Sequence, residues 1–489
     1  MSTQPLPGID HVILLMLENR SFDNIFGGYN TVLQQWGYSS QVNGLTGNET
    51  NPTSQGGTIQ VFEITETSEA TTPTPDPGEL YYPSMQGQIY GFDSLGLPHD
   101  PNDFPPTMTG FVIDYDNQSG TMGYFGSQVV PVSMVAGLIG AVSDTWFASA
   151  PTNTFANRVM SICATPSVTS DNHTRVNDPD YFPFLDYWDV TQAYGSVSDT
   201  SIFELFDNAY PNSTGPNWKI YYHDTALSSL VAYVNQHWDS SNPAQTSSTN
   251  ICHYDDTDYG TLPANYPSFA ADVANGNLPM FSIIEPRYYC NWSPANLMPS
   301  SNHPGSAASS KVLGKQISNA GINSSGPNNN ASISVVDGEA LLLDVLETLV
   351  SSDALNNTLL VVTYDEHGGI YDHVPPPVNV PEPFNTPPKS DSTFLYNRLG
   401  VRVPAIFIGG GVAPGTVFEP ASGQPFPWFD HTSLIRTLRE QFNLGGALTP
   451  RDGGASDLTG LISTTNADAN AKRTELWARL DQLGVRVKK

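Results

Sequence analysis

The amino-acid sequence predicts an α/β fold in which helices cover a mostly parallel central sheet and long loop insertions join the elements. Three short apolar runs, residues 11–17, 358–364 and 403–408, have the length of buried strands. Apolar residues at helical spacing in residues 339–350 and 434–442 predict two helices beside the later strands. Such alternation of strand and helix is typical of a sheet covered on both faces.

The first predicted strand, residues 11–17, reads HVILLML and runs directly into Glu18 and Asn19. Sheets of this class carry their functional groups just past the carboxyl ends of the strands. Carboxylate and amide oxygens at such an end suit a hard cation. Alternatively, Glu18 pairs with Arg20 while Asn19 caps the next helix, and the motif alone leaves both interpretations open.

The second predicted strand, residues 358–364, ends in Asp365, Glu366 and His367, followed by two glycines. Adjacent carboxylates repel each other unless a positive charge lies beside them. The paired glycines permit a tight turn with room for a ligand. This arrangement favours a metal site over a plain acidic loop.

A hydroxyl-rich stretch, residues 152–158, combines Thr154 with Asn157 and Arg158. A hydroxyl bound to a cation loses its proton more readily and becomes a nucleophile. The Arg158 guanidinium either holds a phosphoryl oxygen or forms a structural ion pair.

Four of the ten histidines lie in contexts that suit chemistry, namely His99, His303, His367 and His431. Each could polarise a phosphoryl oxygen or protonate a leaving alkoxide, and each could equally be a hydrogen-bonded loop histidine. A structural role is favoured for His431, because it opens the last predicted helix.

The 489 residues are predicted to form one catalytic domain, 1–489, because an α/β domain with long insertions can absorb that length. A smaller lobe within about 160–300 is the alternative. Residues 30–90 and 305–334 are rich in Ser, Thr, Asn and Gly, which predicts insertions on the surface.

The chain is strongly acidic, with 19 Lys and Arg against 48 Asp and Glu and a net charge of -29. This charge repels phosphate backbones, so nucleic acid is excluded as a partner, and at most peripheral membrane contact is expected. A small phosphate ester remains compatible with the charge if a local cation reverses the sign of one pocket. The oligomeric state is left open.

The three cysteines form neither a CxxC motif nor a cluster with histidine, which excludes a thiolate zinc site. A Cys252–Cys290 disulfide stays an open alternative. The first twenty residues lack a basic region, and their apolar run is too short for a signal peptide or a membrane span. The expectation is a soluble chain, either cytoplasmic or exported by a leaderless route.

Five motifs resemble, in order, those of the phosphoesterase family that holds non-specific phospholipases C and a related bacterial acid phosphatase. They are residues 18–27 (ENRSFDNIFG), a central block of 122–125 with 147–158, residues 364–375 (YDEHGGIYDHVP), 401–404 and 429–433. The resemblance runs from about residue 8 to residue 461. It implies an alkaline-phosphatase-like α/β/α sandwich with one catalytic centre.

The resemblance also implies roles for individual residues. By motif position Thr154 is the nucleophile that attacks phosphorus, and His303 or His99 protonates the leaving alcohol. The implied metal ligands are Glu18, Asn19, Thr154, Asp365 and Glu366. The implied substrate contacts are Asn157, Arg158 and His367. Oxygen ligands favour one Ca²⁺, Mg²⁺ or Mn²⁺ ion, and Zn²⁺ is compatible with the superfamily.

Three departures from the family pattern bear on these expectations. Ala156 stands where the family commonly has proline, which could loosen the nucleophile loop. About thirty residues rich in Ser and Asn separate His303 from Asp337. The segment at Tyr288 offers no histidine, so a phosphate contact supplied there by relatives is in doubt.

Three functions are compatible with these observations. The first is a metal-dependent phospholipase C with a phosphothreonine intermediate, and the charge of -29 favours zwitterionic head groups such as phosphocholine over anionic ones. The second is an acid phosphatase that acts on soluble phosphomonoesters. The third is a catalytically inactive scaffold that binds carbohydrate or protein.

Overall fold

The computed structural model of the protein describes residues 4–79, 81–166, 197–237, 250–255, 266–288, 298–305, 309–312, 315–318, 333–385, 396–463 and 469–485. The strands are β1 His11–Leu17, β2 Thr50–Pro52, β3 Thr58–Gln60, β4 Phe62–Ile64, β5 Gly123–Phe125, β6 Ala141–Ser143, β7 Trp146–Phe147, β8 Trp218–Tyr222, β9 Ile251–His253, β10 Phe281–Glu285, β11 Ser309–Val312, β12 Lys315–Ser318, β13 Thr358–Tyr364, β14 Ala405–Gly409, β15 Thr416–Val417 and β16 Phe429–Asp430.

The α-helices are α1 Phe22–Phe26, α2 Tyr29–Gln35, α3 Gln86–Tyr90, α4 Phe111–Asp114, α5 Pro131–Ile139, α6 Thr154–Cys163, α7 Ile202–Ala209, α8 Ala232–Asn235, α9 Phe269–Asn275, α10 Val335–Val350, α11 His431–Gln441, α12 Pro450–Gly454 and α13 Ala469–Gln482. Short 3₁₀ turns lie at Thr67–Glu69, Gly120–Met122, Leu227–Leu230 and Asp353–Asn357, and a π turn at Tyr81–Met85 precedes α3.

Eight strands form the central sheet in the order β15-β6-β14-β13-β1-β10-β8-β9. Strand β1 pairs in parallel with β13 and β10, and β10 continues in parallel through β8 to β9. Strand β14 runs antiparallel to both of its neighbours. Every residue of β8, β10, β13 and β14 is buried. Because successive side chains of a strand point to opposite faces, both faces of this sheet are covered, as predicted.

The predicted elements differ from the observed ones in two places. The run at 403–408 becomes β14 but is antiparallel, so its glycine-rich end lies at the edge opposite the ends of β1 and β13. The first predicted helix begins earlier, at Val335, because the Ser334 side chain accepts a hydrogen bond from the Val336 amide and caps it. The other predicted helix begins at His431, after the capping residue Asp430.

The predicted insertions have structure of their own. Residues 309–312 and 315–318 pair as an antiparallel hairpin, and most of the rest of 305–334 lies outside the described residues. Residues 30–90 hold the β2–β3 hairpin and α3, and they include acidic residues that reach the sheet edge described below. Cys290 lies outside the described residues, as does any bond it makes with Cys252. The single domain and the smaller lobe remain predictions.

The parallel pairing of β1, β13 and β10 brings three carboxyl ends to one edge of the sheet. Leu17 at the end of β1 lies opposite Tyr364 at the end of β13, and β10 ends alongside in Glu285. Residues that follow these strands therefore converge there. Among the helices that the structure describes, none combines the length and apolar character needed to cross a bilayer.

Candidate active site

The residues that follow β1 and β13 pack against each other. Asn19 has a left-handed backbone, with φ of 59°, and its amide donates to Asp365 Oδ1 at 3.1 Å. Gly368 lies so close that a Cβ atom there would be 2.2 Å from the Asn19 carbonyl oxygen, and its own φ is 63°. Only glycine satisfies both the close approach and the positive φ without strain, which explains the glycine at this position.

Thr154 is the first residue of α6 and faces Asn19. Its hydroxyl donates to Asn19 Oδ1 at 3.2 Å, and its side chain is buried. This contact joins the central block of the sequence to the opening motif.

Asn157 fixes the loop that precedes Thr154. Its Oδ1 accepts from the Ala150 amide at 3.0 Å, and its Nδ2 donates to the carbonyls of Ala150 and Thr152 at 3.1 and 2.8 Å. The side chain is fully buried. The amide of Asn157 is thus engaged by backbone and positions the loop before Thr154, and its contact with substrate stays a prediction.

Arg158 is a buried ion-pair partner of two carboxylates. Its Nε lies 3.0 Å from Asp365 Oδ2, and its Nη1 lies 3.2 Å from Glu285 Oε2. It also donates to the Met16 carbonyl at 3.1 Å and lies over the ring of Tyr288. Burial opposes its charge, but Tyr288 and the two carboxylates raise the pKa of Arg158. Of the two roles left open by the sequence, the structure supports the ion pair. Glu285 was not predicted, because no sequence signal links it to Arg158.

Glu366 carries a buried oxygen that no described residue hydrogen-bonds. Its Oε2 accepts from the Gly368 amide at 2.7 Å, whereas no hydrogen-bond partner for its Oε1 exists in the described part of the chain. Asp365 Oδ1 accepts from the amides of Asn19 and Glu366. Burial raises the pKa of both Asp365 and Glu366, and Glu18, buried beside them, also raises that of Asp365. The oxygens outnumber the positive charges that face them.

His303 lies on the other side of the Asn19 amide, next to two acidic residues. Its Nε2 is 3.2 Å from Asn19 Nδ2 and 3.5 Å from Glu79 Oε1, and Asn19 Nδ2 also donates to Glu79. Burial opposes protonation, but Asp76 and Glu79 raise the pKa of His303 to about 10. Sequence analysis did not identify Asp76 and Glu79 as site residues. They lie in a segment without periodicity, which was predicted to be a surface insertion.

The other three histidines differ in environment. His367 is fully buried, with Nε2 2.8 Å from Gln88 Oε1 and Nδ1 3.3 Å from Glu366, and burial lowers its pKa to about 3. His367 is therefore neutral, and its one proton lies on Nε2, which donates to Gln88. The substrate contact assigned to it stays a prediction. The ring of His99 packs edge-on against Phe104, and its backbone bonds to Gly91 in its own loop. No described hydrogen bond joins His99 to Thr154 or Asn19, so its catalytic role stays a prediction.

His431 belongs to the site through the backbone. Trp146 Nε1 donates to its Nδ1 at 3.3 Å, which leaves the proton on Nε2, 2.8 Å from the Asp365 carbonyl oxygen. Burial lowers its pKa. His431 therefore holds Asp365 as a neutral donor, in keeping with the structural role favoured for it.

Comparisons with known proteins identify the family. The sequence model of the phosphoesterase family matches residues 9–445. Non-specific phospholipase C3 of Arabidopsis thaliana is 28% identical over 473 residues, which cover 94% of this chain and 74% of that protein. Phospholipase C B of Mycobacterium tuberculosis is 26% identical over 459 residues, 90% of this chain and 75% of that protein.

The solved structures that match the chain are remote from it in sequence. One is a protein in the alkaline phosphatase superfamily from Vibrio parahaemolyticus, with a TM-score of 0.29, 11% identity, and coverage of 70% of this chain and 65% of that one. The family match, in contrast, spans most of the chain. The chain thus belongs to the phosphoesterase family, and it is a phosphoric ester hydrolase.

Proposed function

We propose that this protein is a metal-dependent phosphodiesterase of the phospholipase C type, which acts through a phosphothreonine intermediate on Thr154. The observation that carries the proposal is the 3.2 Å contact between the Thr154 hydroxyl and Asn19, beside the carboxylates of Asp365 and Glu366. A hydroxyl held against an acidic cluster at the carboxyl ends of parallel strands is suited to attack on phosphorus.

The donor set fits a divalent cation. Glu366 Oε1 is buried without a hydrogen-bond partner in the described residues, and a cation is the group that such an oxygen accepts. Glu18, Asn19, Thr154, Asp365 and Glu366 would hold it. When bound, it would lower the proton affinity of the threonine hydroxyl and balance charge on the phosphoryl oxygens.

The chain's own residues then account for orientation and charge. Thr154 begins a ten-residue helix, whose N-terminal end favours negative charge on a phosphoryl group. Its oxygen forms the new bond to phosphorus as the bond to the leaving oxygen breaks, and water later hydrolyses the phosphothreonine. His303 would stabilise the negative charge that develops on the leaving oxygen. It contacts Asn19 Nδ2, whereas Thr154 contacts Asn19 Oδ1, so the two residues lie on either side of this amide.

The proposed substrate class is based on the names of the related proteins. The proteins reported above are named as phospholipases C, and this supports a glycerophospholipid substrate for this chain. The net charge of -29 favours a zwitterionic head group over an anionic one. Action on soluble phosphomonoesters is the competing outcome.

Replacement of Thr154 by alanine tests the proposal. We expect the Thr154→Ala variant to lose at least about 10³-fold in hydrolysis of phosphatidylcholine in mixed micelles, because the nucleophile is removed. Acid quench of wild-type enzyme with labelled substrate should trap phosphate ester on Thr154. Thr152→Ala, the matched change two residues earlier, should keep most of the activity.

Two results would contradict the proposal. Near-normal turnover by Thr154→Ala would exclude the nucleophile. If the enzyme hydrolyses a nitrophenyl phosphomonoester faster than phosphatidylcholine, the assignment of the nucleophile still stands. The substrate class would then be soluble phosphomonoesters and not phospholipids.

A further inference from the structure

A second cluster of potential metal ligands lies beside the site, formed by Asp76, Glu79 and His303. One ligand atom from each lies within 4.8 Å of the other two. Asp76 is buried, and the other two are half-buried. The acids come from a segment more than 200 residues before His303, so tertiary folding alone brings them together.

Two cations, His303 and Arg20, lie near the carboxylates of this cluster, but neither gives Asp76 Oδ1 a hydrogen bond. Asp76 is 3% exposed, and its Oδ1 has no hydrogen-bond partner among the residues the structure describes. The Arg20 guanidinium contributes attraction, but its Nε and Nη1 donate to the carbonyls of Asn302 and Thr72 at 2.8 and 2.7 Å. A buried carboxylate oxygen with no donor is costly unless something positive binds it.

His303 is held in the way that metal-binding histidines are held. Its Nδ1 donates to the Pro304 carbonyl at 2.8 Å, and its Nε2 faces Glu79. The acids favour a second proton on Nε2, and a bound cation would replace that proton. Such a bond on the remote nitrogen fixes the tautomer of a ligating imidazole. One imidazole nitrogen with two carboxylates suits Zn²⁺ or Mn²⁺ better than Ca²⁺ or Mg²⁺, which prefer oxygen ligands alone.

We infer that Asp76, Glu79 and His303 form a second divalent-cation site, separate from the cation site proposed for the Thr154 centre. Asn19 lies between the two: its Oδ1 faces Thr154, and its Nδ2 faces Glu79. The two sites share this neighbour but no carboxylate ligand. His303 would then contribute positive charge near the leaving oxygen through the ion that it holds.

Metal stoichiometry tests the inference without any activity measurement. Chelator-stripped protein is reloaded with Mn²⁺ and the bound metal is counted by elemental analysis and calorimetric titration. We expect about two equivalents per wild-type chain and about one for the Asp76→Asn/Glu79→Gln double variant. Glu366→Gln should also bind about one, through the second site. The matched change of exposed acids, Glu66→Gln with Asp103→Asn, should keep both equivalents.

Nitrogen coupling gives a readout that depends on only one of the two sites. The five ligands proposed around Thr154 offer oxygen only, so a pulsed electron-spin-echo signal from Mn²⁺ coupled to imidazole nitrogen reports the second site. The signal should be present in wild type and Glu366→Gln, and absent in His303→Asn. His303 is half-buried, so this variant tests the site even where the double variant does not fold.

The outcomes separate the two proposals. Unchanged stoichiometry in the double variant, or Mn²⁺-loaded wild-type protein without nitrogen coupling, would overturn the second site. Binding that is lost in the double variant but unaffected by Glu366→Gln would support the second site and contradict the cation site assigned to Thr154.

Discussion

Two buried acidic clusters take their acidic residues from the same two sequence motifs, residues 18–27 and 364–375. The first is the Thr154 centre, with Asn19, Asp365 and Glu366. The second, here called the arginine cluster, consists of Asp23, Asp372, His373 and Arg402. By distance alone Asp23, Asp372 and His373 could also hold a metal ion.

In the arginine cluster, every carboxylate oxygen of Asp23 and Asp372 has a hydrogen-bond or ion-pair partner within the protein. Arg402 contacts Asp23 Oδ1 at 3.1 Å and Asp372 Oδ1 at 2.9 Å. Asp372 Oδ2 accepts from the Asp23 amide at 3.1 Å, and Asp23 Oδ2 accepts from the His373 amide at 2.8 Å. Arg402 also lies over the ring of Phe22. This cluster therefore ties the two motifs together and has no need of a cation.

The Thr154 centre differs in having an oxygen, Glu366 Oε1, with no hydrogen-bond partner among the described residues. Its one buried arginine, Arg158, divides its charge between Asp365 and Glu285. The comparison shows that two clusters can be equally acidic and buried and still differ in how their carboxylates are neutralised.

The largest effect is expected from removing the arginine of the structural cluster. Arg402→Met would leave Asp23 and Asp372 buried without their positive partner, at a cost of about 3–5 kcal/mol in the free energy of unfolding. Denaturant unfolding measures this. Arg473→Met, the same change at an exposed position, should shift the free energy by less than about 0.5 kcal/mol. Equal effects of the two variants would mean that the cluster is not structural.

The next largest effect is expected at Gly368, which lies against the Asn19 carbonyl in the Thr154 centre. Gly368→Ala would place a methyl group against the Asn19 carbonyl and strain a positive φ, costing about 1–3 kcal/mol. Displacement of Asn19 should also reduce hydrolysis by roughly 10²-fold, since the nucleophile loses its alignment. Gly446→Ala, where a Cβ would meet nothing within 4 Å, is the control. Normal turnover by Gly368→Ala would show that the approach does not position Asn19.

Neutralising one acid in each cluster should have opposite effects on stability. In the presence of chelator, Glu366→Gln removes an unpartnered charge and should raise the free energy of unfolding by up to about 1 kcal/mol. Asp372→Asn breaks an ion pair with Arg402 and should lower it by about 1–3 kcal/mol. Glu366→Gln should still lose roughly 10²-fold in activity with metal restored. Stability changes of the same sign in both variants would contradict the comparison.

The smallest effect is a pH dependence in the arginine cluster. Burial opposes protonation of His373, but its contact with Asp23 at 2.7 Å raises its pKa above the ordinary value of 6.5. The folded state then binds this proton more tightly than the unfolded state. The resulting stability is complete below about pH 6.5 and is lost as the pH rises through the folded pKa. The stability difference between wild type and His373→Gln should therefore shrink above about pH 6.5, and parallel profiles would exclude the effect.

The sequence by itself determined the strands that carry the site. Residues 11–17 and 358–364 are short and mostly apolar, which suits strands buried on both faces, and the observed bounds of β1 and β13 are the same. It also determined that polar groups follow these strands and that glycine occupies the turn at Gly368. These are local properties, because period, length and backbone conformation depend on neighbouring residues.

The tertiary structure alone decided which groups meet. Nothing local distinguishes β14, which is antiparallel, from the parallel strands, since its burial pattern is the same. The partner of Arg158 proved to be Glu285, 127 residues away, and Asp76 and Glu79 reached His303 from a segment without periodicity. Whether a buried carboxylate is neutralised depends on such long-range contacts, so the unmet charge of Glu366 could be found only in the folded chain.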